Sequence, residues 1–192
     1  GCTSHFPQYP EVSHVQDHDV NYAQGHIVTK IDNDNFSFSP NDILDAWLTA
    51  NCNIGTTTVY VDMDGVLTEY YQAIATFATA QGLLDSGGDW YDMSPAIELQ
   101  AIAAVPNSGF FANLAVRAEA NALIDLVISK NGSYRALTTD AGTQANTIKT
   151  NWMAANFTGA RAAAGIDFAT NFNKGPYGGP NKLLIDDRTT YI

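Results

Sequence analysis

The chain has 192 residues, 45% of them hydrophobic and 15% charged, against a charged share of about 25% in an ordinary domain. That composition excludes a disordered or coiled-coil chain and suits one compact domain, or one of about 140 residues with a small appendage. Nine basic residues against 20 acidic ones give a formal charge of -11, a surface that repels a phosphate backbone, so duplex nucleic acid is not an expected partner.

Residues 1–55 form an acidic preface that holds all four histidines (His5, His14, His18 and His26) and a single basic side chain, Lys30. Residues 26–31 read as a strand, Asp32-Asn33-Asp34-Asn35 as a turn and 36–38 as the returning strand of a hairpin. Ser39-Pro40 then caps a helix with Ile43, Leu44, Trp47 and Leu48 on one face, ending near Asn51. Cys2 and Cys52 are too few for a disulfide framework, and a bridge between them is unforced. His14 and His18 would share a face only if helical, and Val15-Gln16-Asp17 gives no such pattern. No run approaches the roughly 20 apolar residues that span a bilayer, and no basic stretch precedes an apolar one at the start. A soluble, cytoplasmic protein without a membrane partner is expected, with residence in a virion as the other setting.

From residue 56 short apolar runs alternate with helical stretches, the pattern of βα units around a parallel sheet. The expected order is a strand at 57–61, a helix at 70–80 ended by Gly82, and a helix from Ser94-Pro95 to about 104. A long helix at 113–130 closed by Gly132, a strand at 134–137, a helix at 147–156 and a last strand at 182–185 follow. Asn131-Gly132-Ser133 and Asn156-Phe157-Thr158 match the glycosylation sequon and read as chance.

Three expected strands end in polar residues that packing alone would not choose: Asp62 and Asp64, Thr138 and Thr139, Asp186 and Asp187. Ligand crevices of open parallel sheets lie at the carboxyl ends of strands, so these six side chains would converge. Four carboxylates in one poorly solvated pocket need a cation or protons, and an all-oxygen donor set points to Mg²⁺ rather than Zn²⁺. A cation among them would screen an incoming phosphate and leave one carboxylate free to attack phosphorus. Asp-x-Asp-Gly is also an ordinary turn and paired aspartates often just close a strand, so the weight rests on the combination.

Val59-Tyr60-Val61-Asp62-Met63-Asp64-Gly65-Val66-Leu67 resembles the first motif of the haloacid dehalogenase (HAD) superfamily, closest in wording to its 5'(3')-deoxyribonucleotidase branch. Ala136-Leu137-Thr138-Thr139 resembles the second motif, Lys149-Thr150-Asn151-Trp152 the Lys-x-x-Trp of the following helix, and Leu183-Leu184-Ile185-Asp186-Asp187-Arg188 the fourth. Phe110-Phe111-Ala112-Asn113-Leu114 is similar to the segment that helps form the nucleobase pocket. The resemblance implies a three-layer, Rossmann-like α/β fold over 56–192 with a small helical cap at about 83–112; the hairpin and helix read from residues 1–55 form an N-terminal extension to it.

It also implies a Mg²⁺-dependent phosphomonoesterase for nucleoside monophosphates, with Asp62 as nucleophile and Asp64 as acid and base. Mg²⁺ would lie on Asp62, the backbone carbonyl of Asp64 and Asp187, with Asp186 beside them. Thr138 and Thr139 would face the phosphate. Lys174 is the expected third-motif lysine, Lys182 its rival, and Lys149 either a second phosphate contact or a helix-surface charge. Phe110 or Phe111 would stack on the base before Trp90 or Tyr91 does. Where the family has a proline and a lysine after its second motif, this chain reads Asp140-Ala141-Gly142, and residues 1–55 have no counterpart. Those departures leave two further expectations: a structural or assembly protein, virus-borne, using residues 1–55 to bind a partner or a second copy, or a HAD phosphatase for another small phosphate.

Overall fold

The computed structural model describes residues 26–28, 57–85, 93–105, 109–178 and 182–186. Five strands, β1 (His26–Val28), β2 (Thr58–Asp62), β3 (Arg135–Thr139), β4 (Ile166–Ala169) and β5 (Lys182–Asp186), make one sheet in the order β1-β5-β2-β3-β4. Every pairing is parallel. The helices are α1 (Tyr70–Ala80), α2 (Pro95–Ala104), α3 (Ala120–Asn131) and α4 (Thr143–Asn156). The protein is therefore a parallel α/β fold, as its alternating pattern predicts. None of its described helices is long and apolar enough to cross a membrane.

The strand pleat sorts the core. Val59, Val61, Leu183 and Ile185 point to the face covered by Ile74 of α1, Leu123, Ile124 and Val127 of α3, and Trp152 of α4, all buried. Tyr60, Leu137, Ala169 and Leu184 form a smaller cluster on the second face, where Tyr177 packs edge-on to Tyr60 at 5.4 Å. Burial of one such aliphatic side chain is worth about 1.5–3 kcal/mol, so the two-faced alternation alone pins the register.

Local signals set several boundaries as expected. Ser94 Oγ accepts from the Ile97 amide at 3.3 Å, with Pro95 at the first helical position, which starts α2. At the end of α1, Gly82 adopts φ 72°, its amide bonds the Thr79 carbonyl, and the Leu83 amide bonds the Ala78 carbonyl. Both orphan carbonyls are thereby satisfied.

Elsewhere tertiary partners override the helical pattern. The helix expected from 113 starts only at Ala120, because the backbone before it is engaged elsewhere. The Leu114 carbonyl accepts from Trp152 Nε1, the Ala115 carbonyl from the Glu69 amide, and the Arg117 amide donates to the Leu67 carbonyl. Helix α4 begins at Thr143, earlier than expected, and at 14 residues it exceeds α3. Strand β4 was not anticipated: it has four residues, and its polar Asp167 is held by a bidentate pair with Arg135 of β3. Thr138 and Thr139 lie inside β3 rather than beyond it. Asn131, in one of the sequons, is buried and donates to the Thr57 and Ser133 carbonyls, which leaves it no role as a sugar acceptor. From the preface, the strand at 26–28 ladders onto β5; its expected hairpin partner and the helix at 40–51 lie outside the described residues.

Candidate functional site: paired acids and lysines at the strand ends

The sheet order brings β5 back between β1 and β2, so chain segments far apart end side by side. Val61 pairs with Ile185, which sets Asp62 and Asp186, the last residues of β2 and β5, next to each other. Both are buried, on the pleat side of Tyr60 and Leu184. Between them reaches Lys174, delivered after β4 by a 3₁₀ turn at Thr170–Phe172 in which Asn171 takes φ 52°. Lys174 Nζ lies 2.6 Å from Asp62 Oδ1 and 2.5 Å from Asp186 Oδ2. Lys182 starts β5, at the opposite end from Asp186.

A second pair sits alongside. After β2 the chain turns tightly, the Met63 carbonyl accepting from the Leu67 and Thr68 amides and Gly65 taking φ 87°. This turn holds Asp64 at the rim, where its Oδ1 accepts from Thr68 Oγ1 at 3.3 Å. Lys149, from α4, donates to Asp64 Oδ2 at 3.0 Å and to Thr138 Oγ1 at 2.9 Å, and lies 4.8 Å from the centre of the Phe111 ring. It is 3% exposed, which removes the expectation of a helix-surface charge: the rotation of α4 that buries Trp152 also turns Lys149 toward the strand ends.

The electrostatics follow from this crowding. Burial, then the neighbouring Asp186, push the Asp62 carboxyl up to about 7 even though Lys174 pulls it down. Burial alone would lower the Lys174 ammonium, but Asp62 and Asp186 hold it well above the ordinary lysine value. Among the described residues two acids thus share the Lys174 ammonium. The site's donors are all oxygens, the chemistry that suits a hard divalent cation. Among the described residues no three acids, histidines or cysteines cluster as a complete ligand set. The Asp186 oxygen expected beside a metal is taken up by Lys174. Asp187, the other expected ligand, lies outside the described residues.

A cavity of about 260 Å³ opens over these groups. Asp62, Asp64, Thr138, Thr139, Lys149 and Lys174 line it from the strand side, and Tyr70, Tyr71, Glu98, Ile102 and Phe111 from the facing side. Of the two expected stacking residues, Phe111 lines this cavity and Phe110 does not. It lines a separate apolar groove of about 690 Å³ with Phe77 and Leu114, because its ring packs edge-on against Tyr70 at 6.1 Å and Phe77 at 6.3 Å. Trp90 and Tyr91 lie outside the described residues. Asp140 is at the rim, exposed; bonds from the Gly142 amide and Asn146 Nδ2 hold its carboxyl below the usual range. Glu98, Tyr70, Tyr71 and Ile102 were not singled out from sequence. Their helical spacing on α1 and α2 reads as ordinary packing, and only the fold turns them toward the acids.

Fold and site together define a parallel α/β protein with a lysine-bridged acid cluster in a strand-end crevice. No protein-family model and no curated protein matches the chain. Among solved structures it is similar to a haloacid dehalogenase-like family hydrolase from Streptococcus pneumoniae, at 13% identity and a TM-score of 0.42, covering 70% of this chain and 77% of that one. So distant a likeness assigns neither family nor activity.

Proposed function

We propose that the protein is a phosphomonoester hydrolase of the haloacid dehalogenase type, acting with Mg²⁺ on nucleoside monophosphates. The observation that carries this reading is the juxtaposition of Asp62 with Lys174 and, alongside, of Asp64 with Lys149 and Thr138, around one cavity at the strand ends. Asp62, the backbone carbonyl of Asp64 and Asp187 would hold the cation, with Asp186 beside them, and its charge would offset the surplus acid and draw electron density from the phosphoryl oxygens.

The chain's own residues supply the rest. A carboxylate oxygen of Asp62 attacks phosphorus, the bond from phosphorus to the leaving oxygen breaks, and that oxygen takes a proton from the Asp64 carboxyl. Water then attacks the aspartyl-phosphate, its proton passes to the Asp64 carboxylate, and phosphate leaves with Asp62 restored. An arriving phosphoryl group competes for Lys149, and once that ammonium turns to the substrate Asp64 is free to carry the proton. Thr138 Oγ1 and the backbone amides around it would offer further donors to the phosphoryl oxygens. Phosphate-monoester hydrolysis is so slow unaided that enzymes accelerate it by up to ~10²¹-fold, which is why several groups must act at one point.

One observation favours a scaffold instead: each lysine already satisfies its acids, as a purely structural ion-pair cluster would. Phosphate release from nucleoside monophosphates and small phosphomonoesters, measured with Mg²⁺ for wild type and Asp62→Asn, separates the two. An enzyme turns over and the variant does not. A folded wild type that releases no phosphate from any of them refutes the hydrolase.

A further inference from the structure

The cavity has two unlike walls. On the strand side both lysines are engaged, Lys174 by Asp62 and Asp186 and Lys149 by Asp64 and Thr138. Among the described residues, those lining the facing wall include no basic side chain, and Glu98 is the charged group there. Glu98 stands in the first turn of α2, half-buried, and its Oε1 accepts from the Tyr70 hydroxyl at 3.1 Å. Tyr70 is itself buried and wedged edge-on between Tyr71 at 5.2 Å and Phe110 at 6.1 Å, so the hydroxyl that aims the carboxylate is fixed. Asp140 adds a second negative charge at the rim. A leaving group held under this wall therefore meets apolar rings and an oriented acceptor, and the ammonium that reaches the Phe111 ring, Lys149, is already engaged by Asp64 and Thr138.

We propose that Glu98 is a specificity-determining residue that selects phosphomonoesters whose leaving group carries an ammonium or another strong hydrogen-bond donor, and rejects those bearing a second phosphate or a carboxylate. The inference rests on the phosphomonoester reading of the site. A donor gains a charge-assisted bond to Glu98, and a second anion faces the half-buried Glu98 within the cavity and Asp140 at its exposed rim. Tyr70 positions Glu98 through the hydrogen bond from its hydroxyl.

The test is equilibrium binding, by calorimetry with magnesium present, of an aminoalkyl phosphate and a carboxyalkyl phosphate of matched chain length to wild type and to Glu98→Gln. Glutamine keeps an oxygen for the Tyr70 hydroxyl, so the wall stays in place. Wild type is expected to bind the amine about tenfold more tightly than the acid, a ratio that falls toward unity in Glu98→Gln and inverts in Glu98→Lys. A ratio unchanged by either substitution, a wild type that prefers the carboxylate, or one that binds neither compound overturns the proposal. Phosphate release measured in parallel keeps the two readings apart. Selective binding without turnover refutes the hydrolase and supports Glu98 as the selector, whereas turnover with no selectivity refutes only the latter.

Discussion

Replacing Lys174 by methionine removes the one ammonium between Asp62 and Asp186 while keeping most of the side-chain volume. Removing one partner of a buried ion pair costs about 3–5 kcal/mol, because the partner left behind is an uncompensated buried charge. Here Asp62 is left behind, and the cost depends on pH. Burial and Asp186 already lift Asp62 to about 7 against the pull of Lys174, so without the lysine its folded value rises further. A carboxyl whose folded pKa exceeds its unfolded one binds more protons folded than unfolded between the two. Stability then falls as pH rises through that window, by about 1.4 kcal/mol per pH unit for each such proton. Lys174→Met should therefore sit within about 1–2 kcal/mol of wild type near pH 5 and show its full deficit near pH 8. Urea unfolding in EDTA at the two pH values measures this. A deficit under about 1 kcal/mol at both, or one larger in acid, would refute the account of Lys174 as the neutraliser of the buried Asp62 carboxylate.

Three further outcomes follow from the same coordinates. Magnesium should raise the melting temperature of wild type more near pH 8 than near pH 6, because Asp62 must shed its proton near 7 before it can bind a cation, and Asp62→Asn should lose the effect in scanning calorimetry. Trp152→Phe deletes the donor that serves the buried Leu114 carbonyl at 2.8 Å, and urea melts should show a loss of about 1–3 kcal/mol. Gly132 ends α3 at φ 84°, so Gly132→Ala should cost about 1–2 kcal/mol by the same melts, and Gly132→Asn less.

What sequence reading captured was what local chemistry decides. Val59-Tyr60-Val61 and Leu183-Leu184-Ile185 carry strand character in their own side chains, and Ser94-Pro95 and Gly82 mark helix ends by capping. The gathering of Asp62, Asp64, Thr138 and Asp186 was legible because polar residues follow apolar runs at each strand end, and parallel strands bring such ends together. The rest depends on partners distant in sequence. Nothing local tells that the carbonyls of Leu114 and Ala115 are claimed by Trp152 and Glu69, which is why the helix expected from 113 begins at 120. Strand β4 hides because Asp167 spoils its apolar run until Arg135 is set across from it. Lys149 reads as equally suited to surface or site, and only the rotation of α4 decides. Phe110 and Phe111 are adjacent and alike in chemistry, yet the pivot of one short turn sends them to different cavities.

The placement of β5 between β1 and β2 has a consequence for how the molecule comes into being. Synthesis is vectorial, so β2, β3 and β4 are translated well before the strand that separates β2 from β1. Until then the Thr58–Asp62 strand offers an open hydrogen-bonding edge to anything nearby, and Asp62 has no Asp186 beside it. Closing so long a stretch of chain raises contact order and slows folding, which makes this nascent interval the one in which helper chaperones would matter most. Completion of the sheet and birth of the acid cluster are then a single late event.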